Sequence, residues 1–242
     1  DTLQTRATSP LANADENDIA SLWVGQYDAT TGNRLFSQYI ASMTETTVNL
    51  KLKQSQNGSR SRVYFVANLG DLKDIADEKT LKGQVLTYSS TLEGLPSSNL
   101  CGMTGMWEGV VEEGGTKNLT VDLTRMVAKI TFTYAIGGDD FSFTPTSVSL
   151  KSVPDKFQVT APIGQVAGVD YNTYYTGTAN SKGATMYWYL PENMAGTVQG
   201  SDAVDAEKKK IGTGVENATC IELTGEAVQG GVTYGNVTFR FY

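Results

Sequence analysis

Read for the order of apolar and polar positions, the chain is a succession of short strands broken by turns. From Thr47 to Lys53 the two classes alternate strictly. Val48, Leu50 and Leu52 point one way and Asn49, Lys51 and Lys53 the other, as in a strand with one buried face. An earlier strand starts at Ile19 and runs through Leu22-Trp23-Val24 to Tyr27. The turn residues Asp28-Ala29-Thr30-Thr31-Gly32-Asn33 close it, and Leu35-Phe36 begins the return. After the Asn57-Gly58 turn, Val63-Tyr64-Phe65-Val66-Ala67 is apolar on both faces, which predicts a central strand. The best helix candidate spans 71–86, with Asp71 as N-cap and Leu72, Ile75, Ala76 and Lys79 at helical spacing.

Between 119 and 134 the alternation changes phase. Leu119, Val121 and Leu123 occupy odd positions, whereas Met126, Ala128, Ile130, Phe132 and Tyr134 occupy even ones. A strand cannot swap faces without an extra residue, so a bulge or sharp bend is predicted near Thr124-Arg125, the device by which one strand serves two sheets of a sandwich. Gly137-Gly138-Asp139-Asp140 then reads as a domain boundary. Beyond it the same grammar returns in Val148 and Leu150, in Met186-Tyr187-Trp188-Tyr189-Leu190 ahead of Pro191, in Ile221 and Leu223, and in Val237, Phe239 and Phe241. Strands at this rhythm predict an all-β chain of two β-sandwich domains in tandem with at most short helices. A polar leader occupies 1–18, the first sandwich 19–136 and the second 137–242. The chain stops on a strand, so the second domain is expected to be truncated at its C-terminal end.

Composition narrows the function classes. Apolar residues make up 40% and charged residues 19%, a balance that folds and buries a core. The net charge of −7 and the lack of a basic stripe argue against nucleic acid as a partner. Lys208-Lys209-Lys210, the one dense cationic run, reads as a solvated loop beside acidic residues. No stretch reaches the roughly 20 apolar residues that span a bilayer as a helix. Histidine is absent, which removes the commonest general base, zinc ligand and partner of a Ser or Cys nucleophile.

Paired carboxylates remain open as a route to catalysis, as in glycosidases. No phosphate-binding loop, dinucleotide fingerprint, nucleophile elbow or HExxH motif occurs. Gly102-Met103-Thr104-Gly105-Met106 reads as a loop, and Asp139-Asp140 lacks the surrounding pattern of a calcium site. Cys101 and Cys220 form no metal motif and read as two buried thiols, with a disulfide as the alternative. Four N-x-[ST] triplets start at Asn57, Asn118, Asn217 and Asn236, matching chance in a chain rich in Asn and Thr. The aromatic clusters Tyr171–Tyr175 and Tyr187-Trp188-Tyr189 read as core and cross-strand pairs, with sugar stacking as the competing reading. No catalytic, cofactor-binding or metal site is assigned, and the chain is not read as an enzyme.

Several phrases occur in one order over most of the chain: Arg6-Ala7 ahead of Ile19-Ala20-Ser21-Leu22-Trp23-Val24; Val63 through Gly70; Met103-Thr104-Gly105 ahead of Val121-Asp122-Leu123-Thr124-Arg125-Met126-Val127-Ala128-Lys129-Ile130; and Tyr189-Leu190-Pro191-Glu192-Asn193-Met194 ahead of Ala218-Thr219-Cys220-Ile221-Glu222-Leu223-Thr224-Gly225. In these the chain resembles the fimbrillin superfamily of Bacteroidales, the Mfa-like and major-fimbrillin groups. The resemblance implies two transthyretin-like sandwiches, export as a lipoprotein to the outer membrane and cell surface, and a structural or adhesive place in a type V pilus. It further implies proteolytic processing between Arg6 and Ala7, release of a leading strand, and donor-strand exchange with other pilin subunits. Implied partners also include host or bacterial surface ligands, and a lipid anchor on the precursor takes the place of a transmembrane helix. A surface glycan-binding lipoprotein is the alternative expectation, and a carboxylate-pair glycosidase a third.

Overall fold

The computed structural model describes residues 17–73, 75–87, 101–114, 119–160, 168–173, 175–179, 185–193 and 217–242. Its backbone divides into two compact units. The first comprises 1–91, 95–128 and 157–164, and the second 92–94, 129–156 and 165–242. Both are built from antiparallel strands.

In the first unit the central sheet has the order β2 (Arg34–Ile40), β1 (Leu22–Asp28), β3 (Ser61–Ala67), β5 (Met103–Gly109), β6 (Thr124–Arg125). β1 is buried along nearly its whole length. It pairs with β2 on one side and β3 on the other, so both rows of its backbone groups are used. The apolar run 63–67 takes the central place its pattern predicts, with Val24↔Phe65 and Phe65↔Gly105 in register. One sheet face carries Trp23, Tyr27, Tyr64 and Val66, and these pack with Ile75, Leu81 and Val159. β4 (Val85–Thr87) and β10 (Lys156–Gln158) form a separate two-stranded ladder.

The predicted helix over 71–86 shrinks to α1 (Glu78–Lys82). Upstream of it, Lys73 has φ +60, and its N–H donates to Asp71 Oδ1 at 2.8 Å. Asp71 thus closes a turn of its own instead of capping a helix. Ala76 O accepts from Arg34 N at 3.0 Å, and Asp77 bridges Asn33. Pairing to the edge of β2 holds 76–77 extended until Asp77 caps the helix, its Oδ1 accepting from Thr80 N at 2.7 Å.

α1 is fastened by one acid. Glu78, 6% exposed, accepts from Tyr64 Oη at 2.5 Å, Arg62 Nη1 at 2.9 Å and Lys82 Nζ at 2.8 Å. Arg62 also donates to Glu108 at 3.0 Å, and Arg60 donates to the same carboxylate at 2.8 Å. Burial pushes the Glu78 carboxyl up. The bonds from Lys82, Tyr64 and Arg62 outweigh it and hold the group below the ordinary glutamate value. Burial and the Glu78 bond raise the Tyr64 phenol, while burial pushes Tyr27 up to about 12.

In the second unit a four-stranded sheet has the order β12 (Tyr175–Thr178), β8 (Phe141–Lys151), β14 (Cys220–Gln229), β15 (Val232–Phe241). β7 (Val127–Phe132) and β13 (Met186–Pro191) make a two-stranded ladder, and β9 (Val153–Pro154) and β11 (Tyr171–Asn172) another. The core holds Phe132, Phe143, Val148, Leu150, Met186, Trp188, Leu190, Ile221 and Leu223. Asn193 Nδ2 donates to Asn217 O at 2.7 Å, and Asn193 and Thr219 Oγ1 both donate to Ser152 O. The phase change of 119–134 is realised at Met126. Before it, Thr124 and Arg125 pair with β5; after it, the chain enters the ladder with β13. Met126 is buried, and its N–H donates to Gly102 O at 2.9 Å.

Glu78 and Glu108 are both held below the ordinary glutamate value, so they stabilise the fold fully above their unfolded pKa of about 4.3. That contribution is lost as pH falls through the depressed folded values. Urea midpoints should therefore drop between about pH 5 and pH 3. Glu78→Gln should cost about 2 kcal/mol at neutral pH and flatten the acid limb. An unchanged acid limb in that variant would remove the cluster as its source.

Candidate functional site

A sheet that buries one face needs a second layer over the other. In the first unit, the face opposite the Trp23–Tyr64 core carries Leu22, Val24 and Gln26 of β1, Val63, Phe65 and Ala67 of β3, and Met103, Gly105 and Trp107 of β5, as the register dictates. Two extended segments cover it. The first is 47–53, where the predicted alternation holds: Val48, Leu50 and Leu52 are half-buried and the residues between them exposed. Among the described residues this segment is nonetheless in no ladder. It is tied to β1 near both ends, by Met43 N donating to Ala20 O at 2.8 Å and by the side chain of Gln26. Gln26 is fully buried. Its Nε2 donates to Lys53 O at 2.8 Å and its Oε1 accepts from Lys53 N at 2.8 Å, so one side-chain amide does the work of a neighbouring strand.

The second segment is 119–123, in which Val121 and Leu123 are half-buried and Leu119 is exposed, and among the described residues it again pairs with no strand. It presses onto β5 at Gly105. A Cβ there would lie 2.5 Å from Asp122 O, 2.8 Å from Leu123 Cδ2 and 3.1 Å from Val121 Cγ1. Between the two segments Phe65, at the middle of the central strand, is only half-buried.

Asn68 orders the entry to β1. At φ +62, its Oδ1 accepts from Ala20 N at 3.0 Å, and its Nδ2 donates to Asp18 O at 2.7 Å and Cys101 O at 2.9 Å. Asn tolerates this left-handed backbone better than most residues. Arg125 donates to Asn17. Arg6 and Ala7, the expected processing site, lie outside the described residues, as do Asn118, Tyr174, Met194 and Lys208-Lys209-Lys210.

The second unit also leaves part of an inward face uncovered. Register places Phe241 beside Ile221, Phe239 beside Leu223, Val237 beside Gly225 and Tyr234 beside Ala227, with a bulge at Glu226/Ala227 keeping the row on one side. Ile221, Leu223 and Ala227 are core, yet Phe239, Phe241, Tyr234 and Val232 are 38–55% exposed. Phe241 meets Phe132 at 5.4 Å between centroids and Phe239 meets Phe143 edge-on at 5.1 Å. This row continues the core rather than forming a separate platform.

Of the aromatic clusters, Trp188 and Tyr189 are buried, and Lys129 Nζ lies 4.9 Å and 5.5 Å from the ring centroids of Tyr187 and Tyr189. Among the described residues no group of three acidic, Cys or His side chains could hold a metal. An open cleft of ≈ 350 Å³ lies against Thr30, Thr31, Arg62, Glu78, Lys79 and Lys82. Arg62 and Lys82 are already bonded there to Glu78. Glu78 and Glu108 share Arg62, and both are held ionised, the reverse of the raised pKa that a glycosidase acid needs. Cys101 and Cys220 are not joined in a disulfide and both are buried, and burial raises the Cys220 thiol.

Sequence reasoning passed over Gln26 and Asn68 and read Gly102–Met106, Gly105 included, as a loop, whereas Met103–Gly109 is strand β5. The available signals were a lone amide inside the run Leu22–Tyr27 and a glycine inside a strand, which marks close approach.

Gly105→Val should displace 119–123. The stability measured by urea should fall by about 1–3 kcal/mol while β3 amides stay protected from exchange; an unchanged urea midpoint would mean the segment does not rest on β5. Neither thiol should react with Ellman's reagent in the native protein at about pH 8, and both should react in concentrated guanidinium. Fast native labelling of one would contradict its burial.

No family model and no curated protein matches the sequence, but solved structures do. A fimbrilin (fimA) from Porphyromonas gingivalis is 10% identical with a TM-score of 0.63, the match covering 97% of this chain and 77% of that one. The tip fimbrial protein Mfa3 of the same organism, with a C-terminal truncation, is 17% identical with a TM-score of 0.57 over 95% and 79%. A fimbrial assembly protein from Parabacteroides distasonis is 16% identical with a TM-score of 0.54 over 98% and 81%. At these identities the likeness speaks for architecture, and this chain has the all-β fold of the Bacteroidales fimbrial proteins.

Proposed function

We propose that this chain is a structural and adhesive subunit of a bacterial surface fimbria, and not an enzyme. The observation that carries the reading is a fold shared with fimbrial proteins over nearly the whole chain, joined to sheet faces whose second layer is incomplete. A filament subunit needs such faces: an uncovered apolar row and unpaired backbone groups are repaired by a strand from a neighbour, and the repair drives polymerisation. In this scheme a protease cuts between Arg6 and Ala7, a leading strand leaves, and another pilin subunit supplies a donor strand. The protein reaches the outer membrane as an exported lipoprotein and acts at the cell surface, where host or bacterial ligands meet the fimbrium. Among the described residues no helix is long and apolar enough to cross a membrane, and a lipid anchor on the precursor fits that observation.

Sugar binding through the aromatic clusters finds less support, because Trp188 and Tyr189 serve the core. Limited trypsin digestion tests the main reading. Cleavage after Arg6 should be fast, and the trimmed chain mixed with a full-length fimbrial subunit should elute as oligomers in size-exclusion chromatography. A trimmed chain that stays monomeric in that mixture would overturn the donor-strand reading.

A further inference from the structure

Around α1 and the turn between β1 and β2, acids and bases are used unequally. The acids are committed to the protein itself. Asp28 Oδ1 accepts from Thr30 N at 3.0 Å and Thr31 N at 2.8 Å, and Asp77 Oδ1 caps α1 through Thr80 N. Glu78 is buried and already receives Tyr64, Arg62 and Lys82.

The bases keep donors over. Arg62 bonds through Nε to Glu108 and through Nη1 to Glu78. Among the described residues its Nη2 meets no acceptor, and neither does Nζ of the exposed Lys79. Lys82 directs one of its three N–H groups to Glu78. These side chains share the open cleft of ≈ 350 Å³ with Thr30 and Thr31, so three bases and one fully bonded acid line it. That is a local excess of positive charge in a chain of net charge −7. The walls are set in advance by backbone bonds. Ala29 N donates to Arg60 O at 2.9 Å and Glu78 N to Gly32 O at 2.8 Å, tying the turn to β3 and to α1. A ligand entering here need not order the loop first.

We propose that this cleft binds the carboxylate of an acidic sugar. Its volume lies at the small end of the range for small-molecule sites, about 300–1,000 Å³, which suits a single sugar ring. Arg and Lys donors bond a carboxylate strongly, and the Thr30 hydroxyl stands ready for a ring hydroxyl. A neutral sugar is commonly held by stacking on an aromatic ring, and none lines the cleft. An acidic peptide would need apolar pockets or an open strand edge, whereas Ala29 is the one apolar lining side chain among the described residues. The site stands on the cleft alone and does not depend on the fimbrial reading.

The test is a titration of the uncleaved chain with D-glucuronate, followed by amide chemical shifts. Shifts should concentrate in 29–32 and 78–82, with a Kd of about 1 mM or tighter at low salt. Raising the salt to about 0.3 M should weaken binding several-fold, and D-glucose should not bind. Lys79→Glu should weaken it about tenfold or more, while Lys79→Arg should retain it. Because Lys79 is exposed, both variants should keep the urea midpoint, which verifies folding.

Shifts only elsewhere, or unchanged binding in Lys79→Glu, would overturn the site. Inorganic phosphate or sulfate binding as tightly as glucuronate would overturn the sugar assignment and leave a general oxyanion site. A short oligoglutamate peptide binding more tightly than the sugar would overturn it in favour of an acidic protein. No assembly step enters the titration. Its failure therefore leaves oligomers formed after Arg6 cleavage standing, and failure of those oligomers leaves the binding result standing.

Discussion

Backbone amides that leave water need partners, and in the first unit this requirement is met unevenly. β1 has a ladder on each side, and so does β3, so the middle of one layer is bonded along both rows of backbone groups. Across its second face lie segments that have the side-chain pattern of strands but, among the described residues, no ladder. What the unit buries, where it is tied and what it leaves open all follow from that imbalance. Gln26 is the clearest sign, since a buried side-chain amide there does the bonding that a strand would do elsewhere.

The other ties in the first unit serve the same end. Asn68 pins the entry to β1 by bonding Asp18, Ala20 and Cys101 at once. Glu78 holds the single turn of α1 against β3 through Tyr64 and Arg62. A charge as buried as that of Glu78 is tolerable only with its partners in place, which makes the cluster acid-sensitive. None of these groups is tuned for proton transfer: the carboxylates are stabilised as anions and the phenols as neutral groups.

The second unit solves a similar problem differently. Its sheet ends on β15, whose bulge keeps Tyr234, Val237, Phe239 and Phe241 on the side of Ile221 and Leu223. The row is inward in direction but exposed in fact. Each unit thus combines a well-bonded sheet with apolar side chains that its own described residues leave partly exposed.

Alternation alone determined which residues turn inward. Val48, Leu50 and Leu52, the two-faced run 63–67, and the break near Thr124-Arg125 were legible because side-chain direction in an extended chain has a period of two, whatever the strand pairs with. The absence of histidine likewise restricted the chemistry before any fold was known. Ladder pairing is not local, and so the sequence could not say that 47–53 would join no ladder among the described residues. The same is true of Ala76 and Asp77, which fall within the helical spacing but are held extended by Arg34 and Asn33 of a distant turn and strand. Gln26, Gly105 and Asn68 acquire their roles only when Lys53, Asp122 and Cys101 arrive beside them, because a hydrogen bond or a close approach depends on distance through space and not along the chain.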